Sequence, residues 1–147
     1  MAILVFVVLL AGCGGGKAMS TTVRVAGMPT RRATEACLFF IRARIAGGGT
    51  QTTCLTKIDG FPHAGATIRS HGSMAFALRD GTIRARVSLV QRFARDGAHA
   101  HQTLRGSIRG GTGIYRQSHG TVTGTGTVVD RASSLGPVNL RYVLVLR

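Results

Sequence analysis

Five histidines, five carboxylates and three cysteines are the residues of this 147-residue chain with the most chemical potential. His99 and His101 stand two apart, so a strand sets both on one face with Thr103 and Arg105. They supply two of the three or four ligands that a zinc site needs, and a third such as His71 or His119 has to converge on them. Otherwise the pair belongs to a solvated polar stripe that runs on to Arg105 and Arg109, and no metal or other cofactor is expected. The acids are Glu35, Asp59, Asp80, Asp96 and Asp130. Asp59, Asp80 and Asp96 fall in turn signals, where Asp bonds its own backbone. Asp130 ends a strand, and Glu35 lies near one on a face that the spacing leaves open. No two carboxylates share a strand, which removes the acid–base pair of glycoside hydrolysis. No Ser-His-Asp order with a nucleophile elbow is present. Gly110-Gly111-Thr112-Gly113-Ile114-Tyr115 has the glycine density of a phosphate loop, but such a loop opens a helix and here a strand follows. No catalytic residue can be named on these grounds.

The cysteines say more. Residues 3–10 (Ile-Leu-Val-Phe-Val-Val-Leu-Leu) are uninterrupted apolar. With Ala2 and Ala11 the run is about half as long as a bilayer-spanning helix and matches the apolar core of a secretory signal. Leu10-Ala11-Gly12-Cys13 comes directly after it. Small residues before a cysteine at the end of an apolar core resemble the bacterial lipobox, in which the cysteine is lipidated and heads the mature chain. The resemblance implies a signal over 1–12 with its lipobox at 10–13. It also implies a bacterial membrane reached through lipidated Cys13, and a flexible Gly-rich tether over 13–19. The chain departs from that pattern in having no Lys or Arg before the apolar run. A plain cleaved signal and a buried first strand are the other readings of this segment. Export leaves Cys37 and Cys54, and two cysteines in a small exported domain favour a disulfide over two separate buried thiols. They flank Gly47-Gly48-Gly49, and a hairpin centred there does not set them directly opposite, so a bridge requires a bulge or a longer loop.

The elements that carry these residues are strands. Period-two alternation dominates and no long stretch has helical periodicity. The first strand is expected at about 20–26, the second at about 34–45 with Cys37, Phe39, Ile41, Ala43 and Ile45 on one face, and the third at about 50–58. In 67–79, Met74, Phe76 and Leu78 share a face, and Asp80-Gly81 follows as a hairpin signal. In 82–94, Ile83, Ala85, Val87, Leu89 and Phe93 alternate with Arg84, Arg86, Ser88 and Arg92, and Asp96-Gly97 is a second hairpin signal. Strands at 98–109, 118–129 and 138–146 complete the series, the last with Leu140, Tyr142, Leu144 and Leu146 on one face. A meander of about eight such strands is best stabilised by closure, which removes its edges. The expected fold is all-β: one eight-stranded antiparallel up-and-down β-barrel over 20–147, calycin-like, behind a short flexible N-terminal segment.

From about Gly72 to Arg147 the chain resembles the dirigent and allene-oxide-cyclase-like barrel superfamily, particularly its bacterial members. The residues that carry the likeness are Phe76-Ala77-Leu78-Arg79-Asp80-Gly81-Thr82-Ile83, then Gly110-Gly111-Thr112-Gly113-Ile114-Tyr115-Arg116, then Ser118-His119-Gly120 and the Thr/Gly strand behind them. The resemblance implies a small apolar ligand held in the barrel. It also implies either stereochemical steering of radical coupling, as in dirigent proteins, or ring closure of an oxidised fatty-acid derivative, as in the cyclases. No acidic site residue of that family transfers to a position here. If the barrel is hollow, the inward-facing Met74, Phe76, Leu78, Val87, Leu89, Tyr115 and Tyr142 are the expected cavity residues, with Tyr115 also fitted to plug one end.

Charge sets the remaining bounds. Nineteen Lys and Arg against five acids give a net charge of +14, and 17 of the cations are Arg. Such a surface binds polyanions non-specifically, but alternation places most Arg outside and aliphatics inside, so the charge is spread over the exterior. The expectation is an exported binding or scaffold module, a cell-envelope lipoprotein or a secreted protein, taking a small hydrophobic ligand. A cyclase or dirigent-like factor is the alternative, and a polyanion-binding surface protein the weaker one. The sequence gives no oligomeric state.

Overall fold

The computed structural model describes residues 17–131 and 134–147, with the backbone of 8–9. The rest of the expected signal over 1–12, the lipobox cysteine Cys13 and tether residues 14–16 lie outside the described residues. The strands are β1 (Val8–Leu9), β2 (Met19–Gly27), β3 (Thr30–Arg32), β4 (Phe39–Arg44), β5 (Thr50–Asp59), β6 (Thr67–Leu78), β7 (Gly81–Phe93), β8 (His99–Gly111), β9 (His119–Arg131) and β10 (Ser134–Leu146). A single 3-10 turn, Gly113–Tyr115, lies between β8 and β9.

The chain is all-β, and its strands form one antiparallel sheet in the order β1-β2-β10-β9-β8-β7-β6-β5-β4-β3. From β3 to β10 each strand pairs with its successor, and β10 then pairs along its length with β2, from Val138↔Gly27 to Leu146↔Met19. The sheet is strongly curled, and one isolated β-bridge joins Val25 and Ile45, with the Ala46 amide donating to the Arg24 carbonyl at 2.8 Å. Curling is the physical consequence of the alternation. One face of most long strands is apolar, no second layer covers it among the described residues, and the sheet can bury that face only against itself.

The strand pattern matches the sequence expectation closely from β5 onward and less well before it. The strand expected at 34–45 is shorter, β4 alone; its first part is a loop, and β3, which the alternation did not show, precedes that loop. Within that loop Cys37 bonds Cys54, with Cα atoms 5.3 Å apart. Cys54 faces Phe40 in the β4–β5 register, so Cys37 reaches it from beyond the strand end. The longer connection that the spacing required is this loop, and the Leu38 amide donating to the Leu55 carbonyl at 2.8 Å holds it down. Such a bridge suits an oxidising compartment. The β6–β7 connection also differs by one position from the expected Asp80-Gly81 turn. Leu78 pairs with Gly81, so the two turn residues are Arg79 and Asp80. Gly113, at φ +60°, sits over this turn, where a Cβ would lie 2.2 Å from the Asp80 carbonyl oxygen; only glycine fits that approach. The Asp96-Gly97 connection is a longer loop, closed by the Gly97 amide on the Ala94 carbonyl at 3.0 Å.

The interior has two unlike halves. Toward the β4–β5, β6–β7 and β8–β9 turns, Val25, Met74, Phe76, Ile83, Ile108, Val122 and Leu144 are buried in the apolar core without lining the cavity of the other half. Tyr115 is buried against that end from the 3-10 turn. Toward the β5–β6, β7–β8 and β9–β10 connections the interior opens into a cavity. All the arginines are exposed except Arg31, which is half-buried.

The disulfide closes a 17-residue separation, for which chain entropy gives about 3 kcal/mol of stabilisation. Replacing both cysteines by serine is expected to lower Tm by about 10 °C. Thermal unfolding followed by circular dichroism checks this, and an unchanged Tm would show that the bridge adds nothing to the fold.

Candidate functional site

The open half of the sheet encloses a cavity of about 300 Å³, at the small end of the range for ligand sites. Most of its wall is aliphatic: Ile41, Leu55, Ile68, Leu89, Val138 and Leu140. Phe39 and the 70 % exposed Phe61 stand at its mouth. Among these are polar side chains, and their place follows from strand parity. Gln51 and Thr53 alternate inward with Leu55 on β5, Ser70 with Ile68 on β6, Gln91 with Leu89 on β7, and Gln102 with Leu104 on β8. Gln51, Thr53, Ser70 and Gln102 are all buried. Their partners are partly one another: Gln51 Nε2 donates to Thr53 Oγ1, and Gln91 Nε2 donates to Gln102 Oε1 at 3.1 Å.

Tyr142 forms the floor. Its ring, 1 % exposed, meets Phe76 edge-on with centroids 5.3 Å apart. Gly124 is its register partner on β9, and a Cβ there would stand 2.5 Å from the tyrosine Cδ1. The absence of a side chain at 124 is what lets the ring lie down across the sheet. Burial pushes the Tyr142 phenol well above its ordinary pKa, so it is a neutral hydroxyl at physiological pH. Every fully enclosed side-chain nitrogen and oxygen among the described residues has a hydrogen-bond partner. The Tyr142 and Ser70 hydroxyls form no bond with those residues, and both residues line the cavity.

The mouth is held by charge. Arg31 on β3 donates from Nη1 to Asp130 Oδ1 on β9 at 2.7 Å, with the two side chains only 13 % and 11 % exposed. Its Nη2 donates to the Arg131 carbonyl at 3.1 Å, and its guanidinium lies over the Phe39 ring at 4.7 Å. The carboxylate, carbonyl and aromatic face together satisfy the guanidinium and tie the short β3 strand to the far side of the opening.

Of the expected cavity residues, Leu89 and Tyr142 line it. Met74, Phe76 and Val87 are buried in the core away from it, Leu78 packs on the core's edge, and Tyr115 is buried at the opposite end. Burial, followed by the Asp80 carboxylate, raises the Tyr115 phenol. Parity could have identified Gln51, Thr53, Ser70, Gln91 and Gln102, since each falls on the inward face of its strand. Arg31 and Asp130, 99 residues apart, carry no local signal. Glu35 is exposed in the β3–β4 loop.

The histidine stripe lies outside. His99 Nδ1 pairs with Asp96 Oδ2, and His101 Nε2 lies 3.3 Å from Thr125 Oγ1. The amides of Ala98 and His99, then the His99 side chain, pull Asp96 down to about 2. It is the loop carboxylate that caps the start of β8. No three His, Cys, Asp or Glu side chains converge as metal ligands among the described residues.

Removing Arg31 leaves Asp130 as a largely buried, uncompensated charge. Arg31→Ala is expected to cost about 2 kcal/mol in urea unfolding, whereas Arg31→Met combined with Asp130→Leu recovers most of that loss. Equal losses in the single and double variants would show that the pairing itself is not what matters.

No protein-family model, curated protein or solved structure matches this chain.

Proposed function

We propose that this protein is an exported, closed eight-stranded β-barrel that binds a small apolar ligand in its open half and is tethered to a bacterial membrane through lipidated Cys13. The observation that carries the binding reading is the cavity itself. An aliphatic enclosure of about 300 Å³, with a few convergent polar groups and a mouth fringed by Phe39 and Phe61, is the form that small-molecule sites take. The closure reading draws on the Val25–Ile45 bridge and the β2–β10 ladder. These would set β2, β4, β5, β6, β7, β8, β9 and β10 in a ring, with β1 and β3 as appendages. Export is supported by the Cys37–Cys54 disulfide and by the apolar run that ends at Cys13. The dirigent and allene-oxide-cyclase likeness is compatible with this site.

The ionisable groups in the wall favour a second reading, an isomerase or cyclase of the allene-oxide-cyclase type. Tyr142 and Asp130 both line the cavity, and a buried titratable group in a pocket marks chemistry as well as binding. Against a role for Asp130 as a base stands its ion pair with Arg31. Binding of polyanions by the arginine-covered exterior is a weaker reading, supported by charge alone.

A neutral apolar fluorophore such as N-phenylnaphthylamine is expected to bind saturably at about one per chain. Gln91→Trp, which fills the mouth without touching the packed half, should abolish that binding while leaving the circular dichroism spectrum unchanged. Fluorescence titration measures both, and a protein that gives no saturable signal would count against the cavity as a binding site. The tether has its own test. Bacteria expressing the full chain should incorporate labelled palmitate into it, and the Cys13→Ser chain should not; equal labelling of the two would defeat the lipidation reading.

A further inference from the structure

We infer that the cavity selects a ligand whose inner end carries an uncharged oxygen, an alcohol or a carbonyl, and rejects a carboxylate there. This rests on the reading of the cavity as a small-molecule site and specifies what that molecule presents to its floor.

The inner wall is polar without being charged. Ser70 and Tyr142 line it with hydroxyls that have no hydrogen-bond partner among the described residues, and the buried Gln51 and Gln102, 2 % and 6 % exposed, line it too. A wholly hydrocarbon ligand would cover these hydroxyls without replacing their bonds to water, which is costly for each group left unmade. An oxygen placed among them restores the bonds, because a hydroxyl both gives and accepts and an amide offers both functions. A carboxylate needs more than donors: it needs a cation or water to offset its desolvation. The charged side chains of the wall are Arg31, Asp130 and Arg131. Arg31 is committed to Asp130, to the Arg131 carbonyl and to the Phe39 ring. Arg131 is exposed at the mouth. Among the described residues no uncommitted cation therefore faces the inner end, and an anion is tolerated only where the cavity meets solvent. The +14 charge of the chain acts across the exterior and does not alter this local balance, because exposed charges are screened within about 10 Å at moderate salt.

Competition against bound N-phenylnaphthylamine tests the inference on the purified protein. At neutral pH, octanol is expected to displace the fluorophore at a concentration at least about tenfold lower than octanoate. Tyr142→Phe is expected to weaken octanol about fivefold while leaving the fluorophore and octane unchanged, with circular dichroism confirming the fold. Ser70→Ala provides a second, smaller deletion with the same expected direction. Octanoate competing as well as octanol, or octanol indifferent to both deletions, would overturn the selectivity and leave the cavity as a plain apolar site. A protein that does not bind the fluorophore at all would remove the site and the inference together.

Discussion

A single antiparallel sheet with one apolar face has nothing but itself to bury that face against, and the rest of this molecule follows from that constraint. Curling brings Val25 to Ile45 and turns the inward rows of the long strands toward one another. Inward positions are then in short supply of volume, and which side chain stands at each decides whether the interior is solid or hollow. Where the rows bring together Phe76, Ile83, Met74 and Leu144, the aliphatic and aromatic volume fills the space. Where they bring together Gln51, Thr53, Gln91 and Gln102, the side chains bond one another in pairs along the wall, Ser70 stands among them, and the centre is left open.

Tyr142 is the boundary between these halves. Its ring meets Phe76 on one side and lines the cavity on the other, and it is admitted by the missing Cβ of Gly124. A glycine in mid-strand weakens a sheet by its entropy, and here an aromatic side chain from the neighbouring strand covers the gap. The Thr/Gly alternation of β9 thus acquires a purpose on each face: threonines at 121, 123, 125 and 127 stand outward, and Gly124 makes room within.

Strand existence was legible because alternation is regular over most of the chain from residue 67 onward and the breaks before β7, β8 and β9 each hold or adjoin a glycine. The region before it was less legible for a physical reason. The chain around Pro29 and the Cys37 loop is held by contacts with other parts of the molecule, the disulfide to Cys54 and the reach of Arg31 across the mouth, and such contacts leave no periodic trace. The half-hollow interior was legible in principle. A polar residue at an inward parity position has to be satisfied by a neighbour or by a ligand, and five such positions converge here. A search restricted to titratable side chains passes over Gln and Ser and finds only Asp130, which by itself reads as a strand end.

Arg31 shows why composition misleads at the one place where it matters. Sixteen of the 17 arginines are exposed, where each is solvated and individually worth little. The remaining one is chemically identical, yet it lies on a three-residue edge strand that pairs only with β4. Such a strand has too few ladder bonds to hold its own place. The ion pair to Asp130, the bond to the Arg131 carbonyl and the stacking on Phe39 supply the missing restraints and bind the strand to β9 across the opening. On the other side the Cys37–Cys54 bridge pins the loop that follows β3. The segment crossing the mouth is therefore fastened at both ends by interactions independent of the ladder. That is how a cavity whose wall is cut by a short, poorly paired strand keeps its shape.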